Sequence, residues 1–452
     1  MRKSHEPQRS FESQLANWEA DPELAQMDRL LDQCLHLCER VAADLAASAS
    51  RSRGSEGLRG DQALRSAVAK QLKGLSYRQL ANRIDDSYRL RAFCRFDNEQ
   101  VPEHNTFQDN LSAITAETWE AVNQALIGYA VDHQIEDGQR ARFDSTAVET
   151  AIHHPSDSRL IEDCVRVALR LMGRAKHLFG DELSSFHDRS RAVKRRVFKI
   201  ANTKSSKRQT TLYRELLGLA AEVESDATQV TADLQSVSLN DESQVKKRDA
   251  FHADLGRLLE QFAQVLDQCR RRVLHGEKVP ASEKLLSIFE PHTDIIAKGG
   301  RETVFGHKIW LSGGASNLIF DCIIERGNGS DSTMFASSLE RTRDILGTVP
   351  NQVATDDGFA SEANAAYAKA QGVEEIVFGG KLKNELTKWV SSKQTQKKLR
   401  NFRAGIEAIV SATKRAFGLD RCRWSGWPCF QRYVWLSVVA WNLQTLARHL
   451  LA

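Results

Sequence analysis

The chain has 452 residues, 41% of them hydrophobic, and a formal net charge of only +4. That length normally folds as two or three units with sizeable cores, and so balanced a charge leaves any case for a polyanionic partner to local clusters. Eight cysteines without a CxxC pair, and no histidine cluster at zinc spacing, argue against a disulfide framework and a structural zinc site.

The N-terminal segment has no apolar run, so no secretory signal is expected. Residues 1–130 read as helical throughout. Within them, Gly74 to Phe96 has the form of a helix, a break and a helix, with Ser76 as N-cap and Leu80, Ala81 and Ile84 on one face. Such a pair fits a DNA-reading helix-turn-helix, or a helical pair that packs on a core or a second protomer. After the turn Glu136-Asp137-Gly138, the segment Arg140 to Val148 alternates like a strand. From about Leu160 to Leu286 the periodicity is helical, and Leu255, Leu258, Leu259, Phe262, Val265 and Leu266 suggest a packed helical hairpin.

Strand character returns at Val304 to Leu311 and at Asn317 to Glu325. A helix over Ser332 to Leu346 follows, then a short strand, Gln352 to Asp356. A helix from Ser361 stops at Gly372, and Glu375 to Phe378 is a last strand. The most apolar stretch, Cys429 to Ala447, is broken by Gln431, Arg432, Asn442 and Gln444, so it reads as a buried helix of a soluble, cytoplasmic protein. The order of elements predicts an α/β fold: a mixed sheet with a long helical block inserted after its first strand. The expected divisions are a helical region at 1–130, a first piece of the core at 131–158, the insertion at 159–286 and the rest of the core at 287–452.

Acidic residues at strand ends are the first candidates for chemistry. Asp144 lies in the first strand, and Asp356 ends a short apolar one before Asp357-Gly358-Phe359. Carboxylates at the carboxyl ends of strands fall where α/β sheets build ligand sites. The third candidate sits on an amphipathic helix, Leu399 to Leu419. There Leu399, Phe402, Ile406, Ile409, Val410, Thr413 and Phe417 share one face, and Arg400, Arg403, Glu407 and Lys414 form a stripe beside it. Phosphoryl transfer by two divalent ions needs carboxylates for the metals and cations for the phosphates. Arg403 and Glu407 also fit an ordinary i,i+4 ion pair on a solvated face.

Two basic clusters stand out. Arg189 to Arg208 holds nine cations and no acid, namely Arg189, Arg191, Lys194, Arg195, Arg196, Lys199, Lys204, Lys207 and Arg208. Lys388, Lys393, Lys397, Lys398 and Arg400 lead into the Glu407 helix. Either can neutralise phosphates, and either can be a solvated helix face.

Arg403-x3-Glu407-x6-Lys414 resembles the R-x3-E-x6-K signature of DDE transposases from bacterial insertion sequences, members of the RNase H-like, retroviral-integrase superfamily. Asp144-Ser-Thr-Ala-Val-Glu149 with His154-Pro155-x-Asp157-Ser158 resembles the segment of the family's first catalytic Asp. Thr355-Asp356-Asp357-Gly358-Phe359 resembles the D-x-G-[FY] motif of the second. The resemblance covers about Phe143 to Ala452, and more loosely the N-terminal helices, where Val101 to Phe107 also matches. It departs from the family where a tyrosine often stands three residues before the signature Arg; here that residue is Arg400.

The resemblance implies an RNase H-like core with Asp144, Asp356 and Glu407 as catalytic metal ligands for two Mg2+ ions, Mn2+ being an alternative. Asp356 is favoured over Asp357 by its spacing to Gly358. Arg400, Arg403 and Lys414, with Arg191, Lys194, Arg195, Arg196 and Lys199, are the expected DNA contacts. The implied reaction is cleavage at element ends and strand transfer into target DNA by in-line displacement. Its implied partners are terminal inverted repeats and target DNA, with a homodimer in synapsis at the nucleoid. The fifty residues between Asp356 and Glu407 leave no room for a large insertion, so a hairpin route is not expected. A hydrolytic nuclease of the same fold and a domesticated, non-catalytic DNA-binding protein are the alternatives.

Overall fold

Six strands form one mixed sheet in the computed structural model, which describes residues 2–6, 15–48, 57–297, 303–379 and 389–452. They are β1 (Arg140–Glu149), β2 (Asp294–Ala297), β3 (Thr303–Gly313), β4 (Ile319–Ile324), β5 (Gln352–Thr355) and β6 (Glu375–Phe378). β1 is central: β3 lies antiparallel on one side with Asp144 opposite Leu311, and β5 lies parallel on the other with Phe143 opposite Thr355. β6 continues the sheet parallel to β5, and β4 runs antiparallel to β3. β5 buries Val353 and Ala354 on opposite faces, while β1 buries Ala141, Phe143 and Ala147 on one face and sets Arg142 and Asp144, with Val148, on the other.

All five strands anticipated from the sequence are present, within a few residues at their ends. β2 was not anticipated: four residues starting at an Asp give too short an alternation to be read as a strand. The chain divides into two compact units, residues 1–151 with 296–452, and residues 152–295.

The first unit joins the sheet to the N- and C-terminal helices in one apolar core that includes Leu64, Trp119, Phe143, Phe335 and Val439. In the N-terminal region, Ser76 and Gln79 form a reciprocal cap on the helix Tyr77–Asp86, which buries Leu80 and Ile84. Only Ser87 separates it from the six-residue helix Tyr88–Phe93. The exposed edge of β4 is closed by side chains. Asn442, on the helix Trp427–Leu451, accepts from Ile319 N at 2.8 Å and donates to Ile319 O at 2.6 Å and to Asn123 Oδ1 at 2.7 Å. Asn123 donates in turn to Phe320 O at 2.8 Å. Two buried amides thus satisfy an edge that would otherwise offer itself to another strand.

The second unit is helical, with Asp157–Phe179, Ser190–Ala201, Ser206–Ser236 and Glu242–Cys269 around their own core. Leu255, Leu258, Phe262, Val265 and Leu266 are buried there, as their spacing predicts. Among the described residues no helix is long and apolar enough to cross a membrane.

Replacing Asn442 by Leu leaves Ile319 N and Asn123 Oδ1 buried and unpaired, and leaves Ile319 O only the longer bond from Asn123 Nδ2 at 3.4 Å. The expected cost is about 2–4 kcal/mol, read as a lower urea midpoint at unchanged slope; an unchanged midpoint contradicts the edge-closing role.

Candidate active site

Three carboxylates from distant parts of the chain meet because of one register. β1 and β5 run parallel with Phe143 opposite Thr355, so Asp144 and Asp356 stand one residue further along neighbouring strands. Glu407 comes from the helix Lys393–Ala416, whose buried stripe is Leu399, Ile406, Ile409 and Thr413. That burial turns the polar stripe beside it toward the strand ends. Asp144, Asp356 and Glu407 line one cavity of about 740 Å³, together with Lys308, Asp331 and Lys414.

Two tethers hold the Glu407 helix against β1. Arg142, two residues before Asp144 and on the same strand face, donates to Phe402 O at 2.9 Å and to Asn317 Oδ1 at 2.6 Å, and stacks on the Phe402 ring. Burial pulls its guanidinium down to about 10. Gly405 admits it, since a Cβ there would lie 2.0 Å from Arg142 Nη1. The second tether is Lys414, which donates to Ala147 O at 2.7 Å. Lys414 is therefore bound to the backbone of β1 as well as lining the cavity.

The electrostatics follow from the crowding. Burial pushes the Asp144 carboxyl up from its ordinary 3.8 to about 6, and the like charges of Asp356 and Glu407 add to it; the Ser145 N–H at 2.7 Å and Arg403 oppose the rise. Arg403 spans the other two acids, with Nη1 2.9 Å from Glu407 Oε1 and 3.4 Å from Asp356 Oδ1. It is both the i,i+4 partner of Glu407 and a cation of the site. Among the described residues no three His, Cys, Asp or Glu side chains are grouped closely enough to hold one ion together. The donor chemistry still fits a hard divalent cation: three carboxylates face one polar cavity, and one of them is held back from ionising by burial and by the charge of the others.

The remaining anticipated residues fall in various places. Asp357 is exposed in the turn after Asp356 and does not line the cavity. Gly358 in that turn has a steric reason, because a Cβ there would sit 2.4 Å from Asp331 Oδ2. Arg400 is exposed and outside the cavity lining, and Lys388 lies outside the described residues. In the helical unit, Asp157 is buried against Arg272 at 2.8 Å. Of the first basic cluster, Arg189 pairs with Glu222 and Asp226, and Arg196 pairs with Glu215. Arg191, Lys194, Arg195, Lys199, Lys204, Lys207 and Arg208 are without an ion pair among the described residues, and Arg191, Lys194, Arg195 and Lys199 are exposed.

Sequence reasoning missed Lys308 and Asp331. Lys308 Nζ lies 2.8 Å from Asp331 Oδ1, which also accepts from Trp310 Nε1 at 2.8 Å. Ser330 caps the helix Asp331–Leu346, which starts one residue before the start expected from the sequence, and nothing local marked Asp331 or its neighbour in β3.

Comparison with known families gives two matches. Residues 13–113 match the model described as Transposase domain (DUF772), and residues 298–443 match the Transposase DDE domain. Neither a curated protein nor a solved structure matches the chain. The second match spans β3 to β6 and the Glu407 helix, and the sheet is an RNase H-like core.

An acid whose folded value is raised binds its proton more tightly in the folded state. Stability therefore falls as pH rises from about 4 to 6, and the full cost is present above that range. In metal-free buffer, Asp144→Asn should be more stable than wild type by roughly 2–3 kcal/mol at pH 8, with the gain vanishing near pH 4. Denaturant melts at both values check this; an equal effect at both contradicts it.

Proposed function

Since this chain belongs to the DDE transposases of insertion sequences, we propose that it cleaves DNA at the ends of its element and joins the freed ends to target DNA by in-line phosphoryl transfer. The observation that carries this reading is the convergence of Asp144, Asp356 and Glu407 on one cavity that also holds Lys308 and Lys414. Acids alone would repel a phosphodiester; acids mixed with fixed cations suit one.

Hydrolysis of the bond at the element end frees a 3′-hydroxyl, and that hydroxyl then displaces a phosphate oxygen in target DNA at the same site. No covalent protein–DNA link is required. Bound Mg2+ or Mn2+, two ions held by Asp144, Asp356 and Glu407, would activate the attacking oxygen and neutralise the leaving one. The protein's own part is placement. Arg142 and Lys414 fix Glu407 relative to Asp144 through backbone carbonyls. Arg403 pairs with two of the acids and offers its remaining N–H groups to a phosphate. Lys308 is aimed by Asp331 and adds a second fixed cation.

Phosphate contact away from the cavity is assigned to Arg191, Lys194, Arg195 and Lys199. Arg196, expected in the same role, is committed to Glu215. Duplex DNA of the element's terminal inverted repeats and of the target is the substrate, and bringing two ends together calls for a homodimer.

The direct test incubates the full-length protein with Mg2+ and a plasmid carrying the element's ends, beside Asp356→Ala. Cleavage and joining by wild type alone is expected. Cleavage without joining replaces the reading with a hydrolytic nuclease, binding without cleavage replaces it with a non-catalytic DNA-binding protein, and activity in the variant removes Asp356 from the site. Changing Arg191, Lys194, Arg195 and Lys199 together to Gln should lower the slope of log K against log salt for duplex binding by about 3–4. An unchanged slope removes these residues from the DNA interface.

A further inference from the structure

The helix Ser190–Ala201 buries Val193, Val197 and Ile200 and so has a defined outer face. At the middle of that face stands Phe198, 69% exposed. Arg191, Lys194 and Arg195 lie one and two turns before it and Lys199 follows it, all exposed and without an ion pair among the described residues. The ring is held on a firm support. Asn202 Nδ2 donates to Phe198 O at 2.8 Å, Thr203 Oγ1 donates to Lys199 O at 2.6 Å, and Gln209 Nε2 donates to Thr203 O at 2.8 Å. The first two bonds, with that of Gln209 Nε2 to Ile200 O at 3.3 Å, occupy carbonyls that the helix end leaves open. Lys204, Lys207 and Arg208 follow at once, again exposed and without an ion pair among the described residues.

Phe198 is exposed on the helix face that also displays Arg191, Lys194 and Arg195, and a partner that is both anionic and flat would engage the ring and the cations together. Phosphate satisfies the cations but gains nothing from the ring. Along an intact duplex the bases stack on one another and offer only their edges, so a ring face meets a base where that base is unpaired, where a step is unstacked or at an open end. A second copy of this face is disfavoured, because a two-fold contact would set seven cations against seven. An anionic lipid surface is disfavoured as well, since the apolar face of this helix is already spent on the protein core.

We propose that Phe198 is a stacking platform for an unpaired base of bound DNA, flanked by Arg191, Lys194, Arg195 and Lys199 on the backbone. This places the helical unit at a distorted point of the DNA, where strands have parted or a base has left the stack. The proposal rests on the phosphate-contacting reading of the same helix, and the two fail separately: the salt slope is read on the four charge variants, and base preference on Phe198 alone.

The experiment compares full-length wild type and Phe198→Ala on two probes, a blunt duplex and the same duplex carrying one unpaired adenine. Wild type should prefer the second probe by about tenfold, the size of one base–aromatic stack. Phe198→Ala should lose that preference while its salt slope and its affinity for the intact duplex stay unchanged. Phe198→Trp should bind the unpaired-base probe with quenched tryptophan emission relative to the same variant on intact duplex. Equal preference in wild type and Phe198→Ala overturns the proposal. So does dissociation of an oligomer by Phe198→Ala on gel filtration. So, too, does a blue shift of tryptophan emission on phosphatidylglycerol vesicles without DNA, if Phe198→Trp shows it and wild type does not.

Discussion

Bringing three carboxylates to one place works against the electrostatics of folding, and much of the first unit can be understood as the means of doing so. Asp144 and Asp356 become neighbours because β1 and β5 are parallel in one particular register, in which Ala141 and Phe143 of β1 are buried beside Val353 of β5. Glu407 is brought in by a helix that is tied to β1 at both ends of its contact, by Arg142 and by Lys414. The consequence is visible in Asp144, whose buried carboxyl, facing two like charges, holds its proton to about pH 6. Arg403 relieves the other two acids. The same arrangement that destabilises the folded chain makes it receptive to positive charge.

The parts of this arrangement legible in the sequence were those with a local period. The alternation of β1 and the 3.6-residue stripe of the Glu407 helix are written in consecutive residues, so both elements, and the inward face of the helix, could be read directly. Glu407's place beside the apolar stripe was legible for the same reason. The pairing of strands far apart in the chain has no local signature, and the expectation that Asp144 and Asp356 meet came from the resemblance to a known family. Lys308 and Asp331 were invisible because each is ordinary in its own segment and they meet only across β3 and a helix start. Lys414 shows the same limit: the motif marked the residue, but its bond to Ala147 O depends on a strand 267 positions away.

Charge clusters were legible as composition and only partly as surface. The acid-free run from Arg189 to Arg208 suggested nine equivalent cations, but Arg189 and Arg196 answer acids on the next helix, Glu222, Asp226 and Glu215. Those acids lie outside the run and so were not weighed with it. Of the residues left over, Arg191, Lys194 and Arg195 share the exposed helix face of Phe198, and that grouping emerges only once the helix's buried face has been assigned. The three carboxylates thus lie in the first unit, and the exposed cations of this run lie in the second.

The central proposal is that Asp144, Asp356 and Glu407 bind divalent cations in one shared centre. It is tested most directly by loading the protein with Fe2+ in place of Mg2+ and generating hydroxyl radicals there, then mapping the cuts in the polypeptide. One site predicts three clusters of cuts, around residues 144, 356 and 407, all suppressed together by excess Mg2+ and all lost in Asp356→Ala. Cuts confined to one of these segments, or lying elsewhere and insensitive to Mg2+, would contradict it.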